Sequence, residues 1–356
     1  MFISFRLSRK FIVIFLIIIL SATMLTSLFR SFSVKTAKDD LPQPETNKAN
    51  PQKADYIKWV DFGITADAMQ AALKLDTESQ STETPLNWIE LLAVLGAKYG
   101  GDFKRFKTAD LNALAKRIKD GEALADITRD MKYYPYYYQA YSAVLSEFAG
   151  EYQVQKFDEN NNPVWETKYG LKAFSPIAKN YGYSHYDDFG ASRSYGYRRK
   201  HLGHDMLGSV GTPIIAIESG TVEAIGWNQY GGWRIGIRSF DRKRYYYYAH
   251  LRKNHPYPED LSIGHTVKGG DVIGYLGMTG YSSKENVNNI DTPHLHWGMQ
   301  LIFDESQKEG NNEIWIDCYE ISKFLAKNTS EVIKDEATNE YRRKYDFFEK
   351  SVENTE

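Results

Sequence analysis

Five residues have the types and spacing to do chemistry in this chain: His201, Asp205, His250, His294 and His296. The first two stand in His201-Leu202-Gly203-His204-Asp205, the last two in Pro293-His294-Leu295-His296-Trp297. Between them, Tyr248-Ala249-His250-Leu251 puts one more imidazole at the end of an aromatic run. Imidazole nitrogens and carboxylate oxygens are donors for a zinc ion. Three protein donors leave a fourth position for water, the catalytic kind of site rather than the closed structural kind. Two imidazoles beyond the ligands would then be free to move protons.

Each motif alone has a plainer reading. In a strand, successive side chains point to opposite faces, so His294 and His296 emerge together while Leu295 points the other way. One can bind metal with the other beside the bound water, yet a lone His-x-His also describes two surface histidines. His201 and Asp205 would stack on a helix, but Gly203 and Gly208 argue for strand or loop. Taken alone, the pair reads as a histidine–carboxylate hydrogen bond, and His250 as an ordinary core or surface histidine. The conjunction of all three elements carries the inference.

The elements that position them are β. Residues 152–157 and 164–168 flank Asp158-Glu159-Asn160-Asn161-Asn162-Pro163 and read as a hairpin. Residues 221–227 and 233–240 follow as strands, joined by 228–232, and residues 244–251 come after the turn at 241–243. Residues 264–274 read as two short strands around a turn. Upstream, residues 56–150 have helical periodicity, with apolar residues such as Trp88, Leu91, Leu92 and Leu95 recurring at three- and four-residue spacing. About four helices are expected there, a small bundle. Residues 311–356 read as a helical tail, highly charged after Lys327.

These motifs resemble the zinc metallopeptidases of the M23 type, the lysostaphin- and LytM-like endopeptidases of peptidoglycan. The resemblance runs over about residues 174–302. After His201-Leu202-Gly203-His204-Asp205 it takes in Gly211-Thr212-Pro213, Tyr248-Ala249-His250-Leu251, residues 264–274, Gly277-Met278-Thr279-Gly280 and the terminal His-x-His, in the family's order. It implies His201, Asp205 and His296 as ligands of one zinc ion per chain, with His250 and His294 as the catalytic pair. It also implies a tyrosine near the scissile carbonyl, which aligns with Tyr195 and has Tyr197 close by. His204 falls at a variable position and is taken as structural. A longer stretch than usual, residues 281–292, separates the glycine turn from the His-x-His strand and could wall the groove.

The N-terminus reads as a targeting segment, an uncleaved signal anchor in preference to a removed signal peptide, because Ser21-Ala22-Thr23 is a poor cleavage site. Arg6, Arg9 and Lys10 precede an apolar run at residues 11–29, long enough for a bilayer core that needs about 20 residues, and the basic flank keeps this end in the cytoplasm. Residues 34–55 read as a solvated linker. The expected organisation is α+β and multidomain. Residues 1–33 form a cytoplasmic stub and single transmembrane helix, 34–55 a linker, 56–150 a small all-helical domain of unknown role, 151–310 an antiparallel β-sheet peptidase domain, and 311–356 the helical tail. The catalytic domain is expected outside the cytoplasmic membrane, facing the wall. A net charge of −2 over 356 residues gives no basic field for nucleic acid. The single cysteine, Cys318, excludes a disulfide framework and a thiolate cluster.

The resemblance implies peptidoglycan as substrate, and the helical domain is expected to dock a protein regulator or serve as a spacer. Tyr181, Tyr183, Tyr186, Trp227, Tyr230 and Trp233 can flank a bound polymer, although packing of the sheet is the plainer role for each ring. Glu90 beside Trp88 has no second carboxylate at a readable spacing, so a glycosidase pair is not supported. The reading kept open is a non-catalytic M23-like scaffold or wall-binding protein, which would be expected to have lost one of the five residues.

Overall fold

The computed structural model describes residues 57–195, 197–310 and 312–349, apart from the side chains of Tyr195 and Tyr197. The expected membrane anchor and linker lie outside the described residues. Among the described residues, no helix is long and apolar enough to cross a membrane.

Five helices come first: α1 (Ala66–Ser79), α2 (Trp88–Tyr99), α3 (Thr108–Lys119), α4 (Leu124–Thr128) and α5 (Tyr134–Leu145). Local chemistry sets their ends. Asn87 accepts hydrogen bonds from the backbone N–H groups of Ile89 and Glu90 at the start of α2, and Gly100, at φ 66°, closes its other end. The helix beyond the expected four is α4, five residues with no buried side chain, too short to show an apolar face in the sequence.

The chain then becomes β. The hairpin of β1 (Ala149–Phe157) and β2 (Pro163–Leu171) matches the expected one, its turn held by the Asp158 carboxylate accepting from the N–H groups of Asn160 and Asn162. Next come β3 (Tyr183–Tyr186), β4 (Ser192–Tyr195), β5 (Tyr197–Lys200), β6 (His204–Gly208) and β7 (Pro213–Ile215). They are followed by β8 (Gly220–Asn228), β9 (Gly232–Ser239), β10 (Arg244–Ala249), β11 (Thr266–Val267), β12 (Val272–Tyr275), β13 (His294–Leu301) and β14 (Ile314–Ile316). The main antiparallel sheet runs β11-β8-β9-β10-β13-β6-β3, and β14 joins β13 beyond the end of β6. β11 and β12 do not pair with each other: β11 lies on β8, and β12 forms a small separate sheet with β7.

Register in the middle of this sheet decides the site. Ala249 of β10 faces His296 of β13, which faces Asp205 of β6. Alternation then sends Leu295, Trp297 and Met299 into the core with Tyr246 and Tyr248, all fully buried. That back face shares one continuous apolar core with the helices. A short C-terminal helix, α6 (Tyr319–Leu325), mediates the contact. Phe324 stacks on Trp88 with ring centroids 5.8 Å apart, Ser322 accepts from the Trp297 indole at 3.1 Å, and Glu320 accepts from the Ala66 N–H at 2.7 Å.

The expected helical tail is a correction. After the seven residues of α6 the chain forms three short strands, β15 (Val332–Lys334), β16 (Tyr341–Arg343) and β17 (Phe347–Phe348). β15 and β16 form a hairpin whose turn is held by the Asp335 carboxylate accepting from the Ala337 and Thr338 N–H groups. β17 adds to β1 and buries Phe347. Two- and three-residue strands carry too few side chains to show a period of two. Their pairing depends on distant partners that local pattern does not contain.

One buried ion pair also ties the helices to the sheet. The Arg244 guanidinium, wholly inaccessible, donates Nε and Nη2 to the two oxygens of Glu218 at 2.9 and 3.0 Å. Its Nη1 donates to the Ala143 carbonyl near the end of α5 at 2.7 Å, and the Tyr246 hydroxyl completes the Glu218 shell. Burial works against the arginine charge, but the Glu218 carboxylate holds the guanidinium pKa well above its ordinary value. Replacing Arg244 by Met would strand that carboxylate in the core. The expected cost is about 3–5 kcal/mol, read as a lowered urea midpoint; an unchanged midpoint would mean the pair is not what joins the two parts.

Candidate metal centre and groove

His201 follows β5 in a loop. Its backbone N–H donates to the Ala191 carbonyl and its own carbonyl accepts from Gly190, both at 2.8 Å. Four residues on, Asp205 lies in β6, and His296 reaches it across the strand pair. His201 Nε2, His296 Nδ1 and Asp205 Oδ1 converge, with separations of 2.8 Å between the nitrogens and 3.0 and 2.9 Å from each nitrogen to the oxygen. Among the described residues, this is the set of three that can hold a metal ion. Two imidazoles and a carboxylate, nearly buried and with no thiolate, are a donor set that suits zinc and leaves a fourth position.

Gly203, in the middle of the first motif, has a steric reason to be glycine. A Cβ there would lie 2.6 Å from the His296 ring and 2.7 Å from the Trp297 carbonyl, so any larger residue would push the ligand away.

The surroundings orient the donors. Asp188 Oδ1 lies 2.8 Å from His201 Nδ1, the nitrogen turned away from the metal position. Arg193 Nη2 sits between Asp188 Oδ2 at 2.5 Å and Asp205 Oδ2 at 3.2 Å, so the second oxygen of Asp205 is occupied. Burial alone would raise the Asp205 pKa, but His201 and His296 hold it well below the usual carboxylate range. Burial pushes the His296 pKa down, against the pull of Asp205. His204, taken as structural, points to the other side and bonds His185 ring to ring at 2.8 Å. Burial, then the His185 ring, push it down to about 4.

The other two imidazoles stand beside the triad. The His250 ring centroid is 4.8 Å from that of His294 and 5.9 Å from that of His296. Each has its Nδ1 against a backbone carbonyl: His250 donates to Thr279 at 2.9 Å and His294 to Thr292 at 2.8 Å. A carbonyl only accepts, so the proton sits on Nδ1 and a neutral ring keeps Nε2 as a base. His294 Nε2 is 3.8 Å from Asp205 Oδ1. His250 has φ 61°, an uncommon conformation for a residue with a Cβ, and its N–H is pinned to the Gly231 carbonyl at 2.7 Å. Burial, together with the His294 and His296 rings, pushes its pKa well down, which favours the neutral form.

All five residues line one groove of about 730 Å³. Residues 281–292 do wall it, through Tyr281 and Ile290. Of the six aromatic residues singled out, Tyr230 lines the groove; Trp227 and Trp233 pack edge to face on each other at 5.7 Å. Tyr245, Tyr247 and Trp315 line it instead and had no signal in the motifs. Tyr195 is on β4, paired with β5, and its side chain is outside the described residues. Asp188 and Arg193 were not found from the sequence. The one signal for such a residue is general, that a metal-binding imidazole wants a carboxylate behind it, and that rule fixes no spacing.

Residues 199–310 match the model of Peptidase family M23. The chain is 38% identical over 130 residues to an L-Ala–D-Glu endopeptidase of Bacillus subtilis (strain 168), covering 36% of this chain and 38% of that protein. It is also 38% identical over 98 residues to lysostaphin of Staphylococcus simulans, covering 27% of this chain and 17% of that one. The chain thus spans well under half the length of these curated relatives. A structure assigned to glycyl-glycine endopeptidase lytM of Ruminococcus gnavus superposes with a TM-score of 0.50 at 21% identity, over 77% of this chain and 92% of that one. That likeness is one of fold, and it extends beyond residues 199–310. Residues 199–310 are therefore a Peptidase family M23 domain, with a His/Asp/His set in its groove that can hold a metal ion.

The site makes separable predictions for zinc content by elemental analysis. His201→Ala, Asp205→Ala and His296→Ala should each come through dialysis without metal. Asp188→Asn should still fill at saturating zinc but bind about 10–100-fold more weakly. Full retention by the ligand variants would displace the metal from this triad.

Proposed function

We propose that the protein is a zinc-dependent endopeptidase that hydrolyses peptide bonds in the stems or cross-links of peptidoglycan, with residues 11–29 holding it in the bacterial cytoplasmic membrane and the peptidase domain outside. The observation that carries the reading is the convergence of His201, Asp205 and His296 beside two carbonyl-anchored imidazoles in an open groove. The match to a protein named L-Ala–D-Glu endopeptidase directs the first substrates to stem peptides.

His201, Asp205 and His296 would hold the metal. Zinc, when bound, supplies a Lewis acid that polarises the scissile carbonyl and acidifies water. The protein's own groups do the rest. His250 or His294, neutral and with a free Nε2, takes the proton of the attacking water and later gives one to the leaving amine. The Thr279 and Thr292 carbonyls keep each ring in the tautomer that this task needs. Tyr195, on the β4–β5 hairpin at the groove, is the proposed hydroxyl donor to the developing oxyanion. The helical segment is proposed as a docking face for a protein regulator.

Purified wall sacculi incubated with the full chain should release muropeptides identifiable by mass spectrometry, and chelation should stop the release. His250→Ala and His294→Ala should keep zinc yet lose roughly 10²–10⁴-fold in rate. Zinc-loaded wild type that leaves sacculi intact would favour a scaffold instead. Anchoring has its own readout: alkaline carbonate should leave the full chain in the membrane fraction but release a chain lacking residues 1–33, and release of both would remove the anchor from the account.

A further inference from the structure

Arg199 is a groove cation whose surroundings fit it for an anionic ligand. Arg199, on β5, lies with its guanidinium carbon 4.8 Å from the Tyr230 ring centroid and 5.0 Å from that of Tyr281. Two aromatic faces at that distance attract the charge and restrict the orientation of the guanidinium. The two tyrosines are themselves fixed. The Tyr281 N–H donates to the Tyr230 carbonyl at 3.3 Å, the Ser282 N–H donates to the Gln229 carbonyl at 2.9 Å, and the Asn228 side chain accepts from the Tyr230 and Gly231 N–H groups.

What Arg199 lacks is an acid. Among the described residues no carboxylate pairs with it, and its Nη1 is buried with no hydrogen-bond partner. Two of the other groove cations differ: Arg193 is engaged by Asp188 and Asp205, and Lys308 by Glu223 at 2.6 Å. A buried guanidinium N–H without an acceptor is costly, so the vacancy is expected to be filled when the groove is loaded. The place is close to the chemistry, because the Tyr281 ring lies 5.8 Å from the His250 ring. Arg234, also lining the groove, likewise has a buried Nε without a partner, which adds positive potential to the same cleft.

We infer that Arg199, clamped between Tyr230 and Tyr281, binds a carboxylate carried by the substrate residue next to the scissile amide, so that the groove selects acidic stem peptides over uncharged glycine bridges. The inference rests on the endopeptidase reading and gives it a substrate class. A planar fork of donors matches a carboxylate in two parallel hydrogen bonds, which neither a carboxamide nor a glycine residue can reproduce as an anion.

The test uses the full chain loaded with zinc and three synthetic probes: L-Ala-γ-D-Glu-L-Lys with a free α-carboxylate on its glutamyl residue, the same peptide with that group as carboxamide, and pentaglycine. Wild type should cut the acid with a kcat/KM about 10–100-fold above the carboxamide, the range of a charge-assisted hydrogen bond, and should leave pentaglycine uncut. In Arg199→Gln the ratio of acid to carboxamide should fall to about one, and Arg199→Lys should restore part of it; zinc content and thermal midpoint report that both variants are folded. The assignment is overturned if wild type treats acid and carboxamide alike, if Arg199→Gln keeps the preference, or if sacculi are digested while neither stem probe is cut. Zinc-loaded wild type that leaves sacculi intact is a different failure, and it removes the endopeptidase reading itself.

Discussion

The site depends on the register of β13 between β10 and β6. His296 opposes Ala249 on one side and Asp205 on the other, and those pairings put one imidazole, one carboxylate and the His250 turn at the same end of the sheet. A slip of one residue would turn His294 and His296 toward the core and Leu295 and Trp297 into the groove. The register is secured from behind rather than at the site. Trp297, Met299 and Leu295 fill the core with Tyr246 and Tyr248, and Trp297 is tied to Ser322 of α6. The helices thus serve the chemistry without touching it. They cover the back face whose packing fixes which residues look into the groove, and Arg244 bonds their last turn to the same sheet.

Around that frame the protein spends conformational freedom where the chemistry needs it. His250 sits at φ 61°, held by the Gly231 and Thr279 carbonyls, and the chain on the far side of the groove turns at Gly280 and Tyr281 with φ of 125° and 47°. Left-handed backbone at residues with side chains persists only where the surroundings over-determine it. Here the reward is an imidazole with its donor side spoken for, and a tyrosine that faces both that imidazole and Arg199. Gly203 is the counterpart on the ligand side, where the absence of a Cβ lets the His296 ring close against its partners.

The three candidate metal donors that the structure brings together were legible in the sequence because zinc restricts its donors to a few residue types, and because a His-x-His on a strand declares its own geometry. The β region was legible for a similar reason: β1, β2, β8, β9 and β10 are long enough to alternate and are separated by turns of glycine, asparagine or aspartate. What escaped was set by tertiary contact. Asp188 and Arg193 act on His201 and Asp205 from a loop and a short strand, at a spacing no rule prescribes. Arg199 stands between Arg198 and Lys200 with no mark of its own in the sequence, and the two tyrosines around it come from distant turns. The C-terminal strands take their partners from β1 and from one another, so a charged segment that resembled an exposed helix instead closes onto the β region. The resemblance to M23 enzymes supplied the division of roles among the five residues; spacing alone left it open.

The account stands on one zinc ion between two imidazole nitrogens and one carboxylate oxygen. X-ray absorption at the zinc edge of the purified full chain addresses that directly. The expected spectrum shows one zinc per chain with nitrogen and oxygen neighbours at about 2.0–2.1 Å, outer-shell scattering from two imidazoles, and no sulfur. A sulfur shell near 2.3 Å, or a first shell lacking imidazole, would place the metal elsewhere and contradict the account.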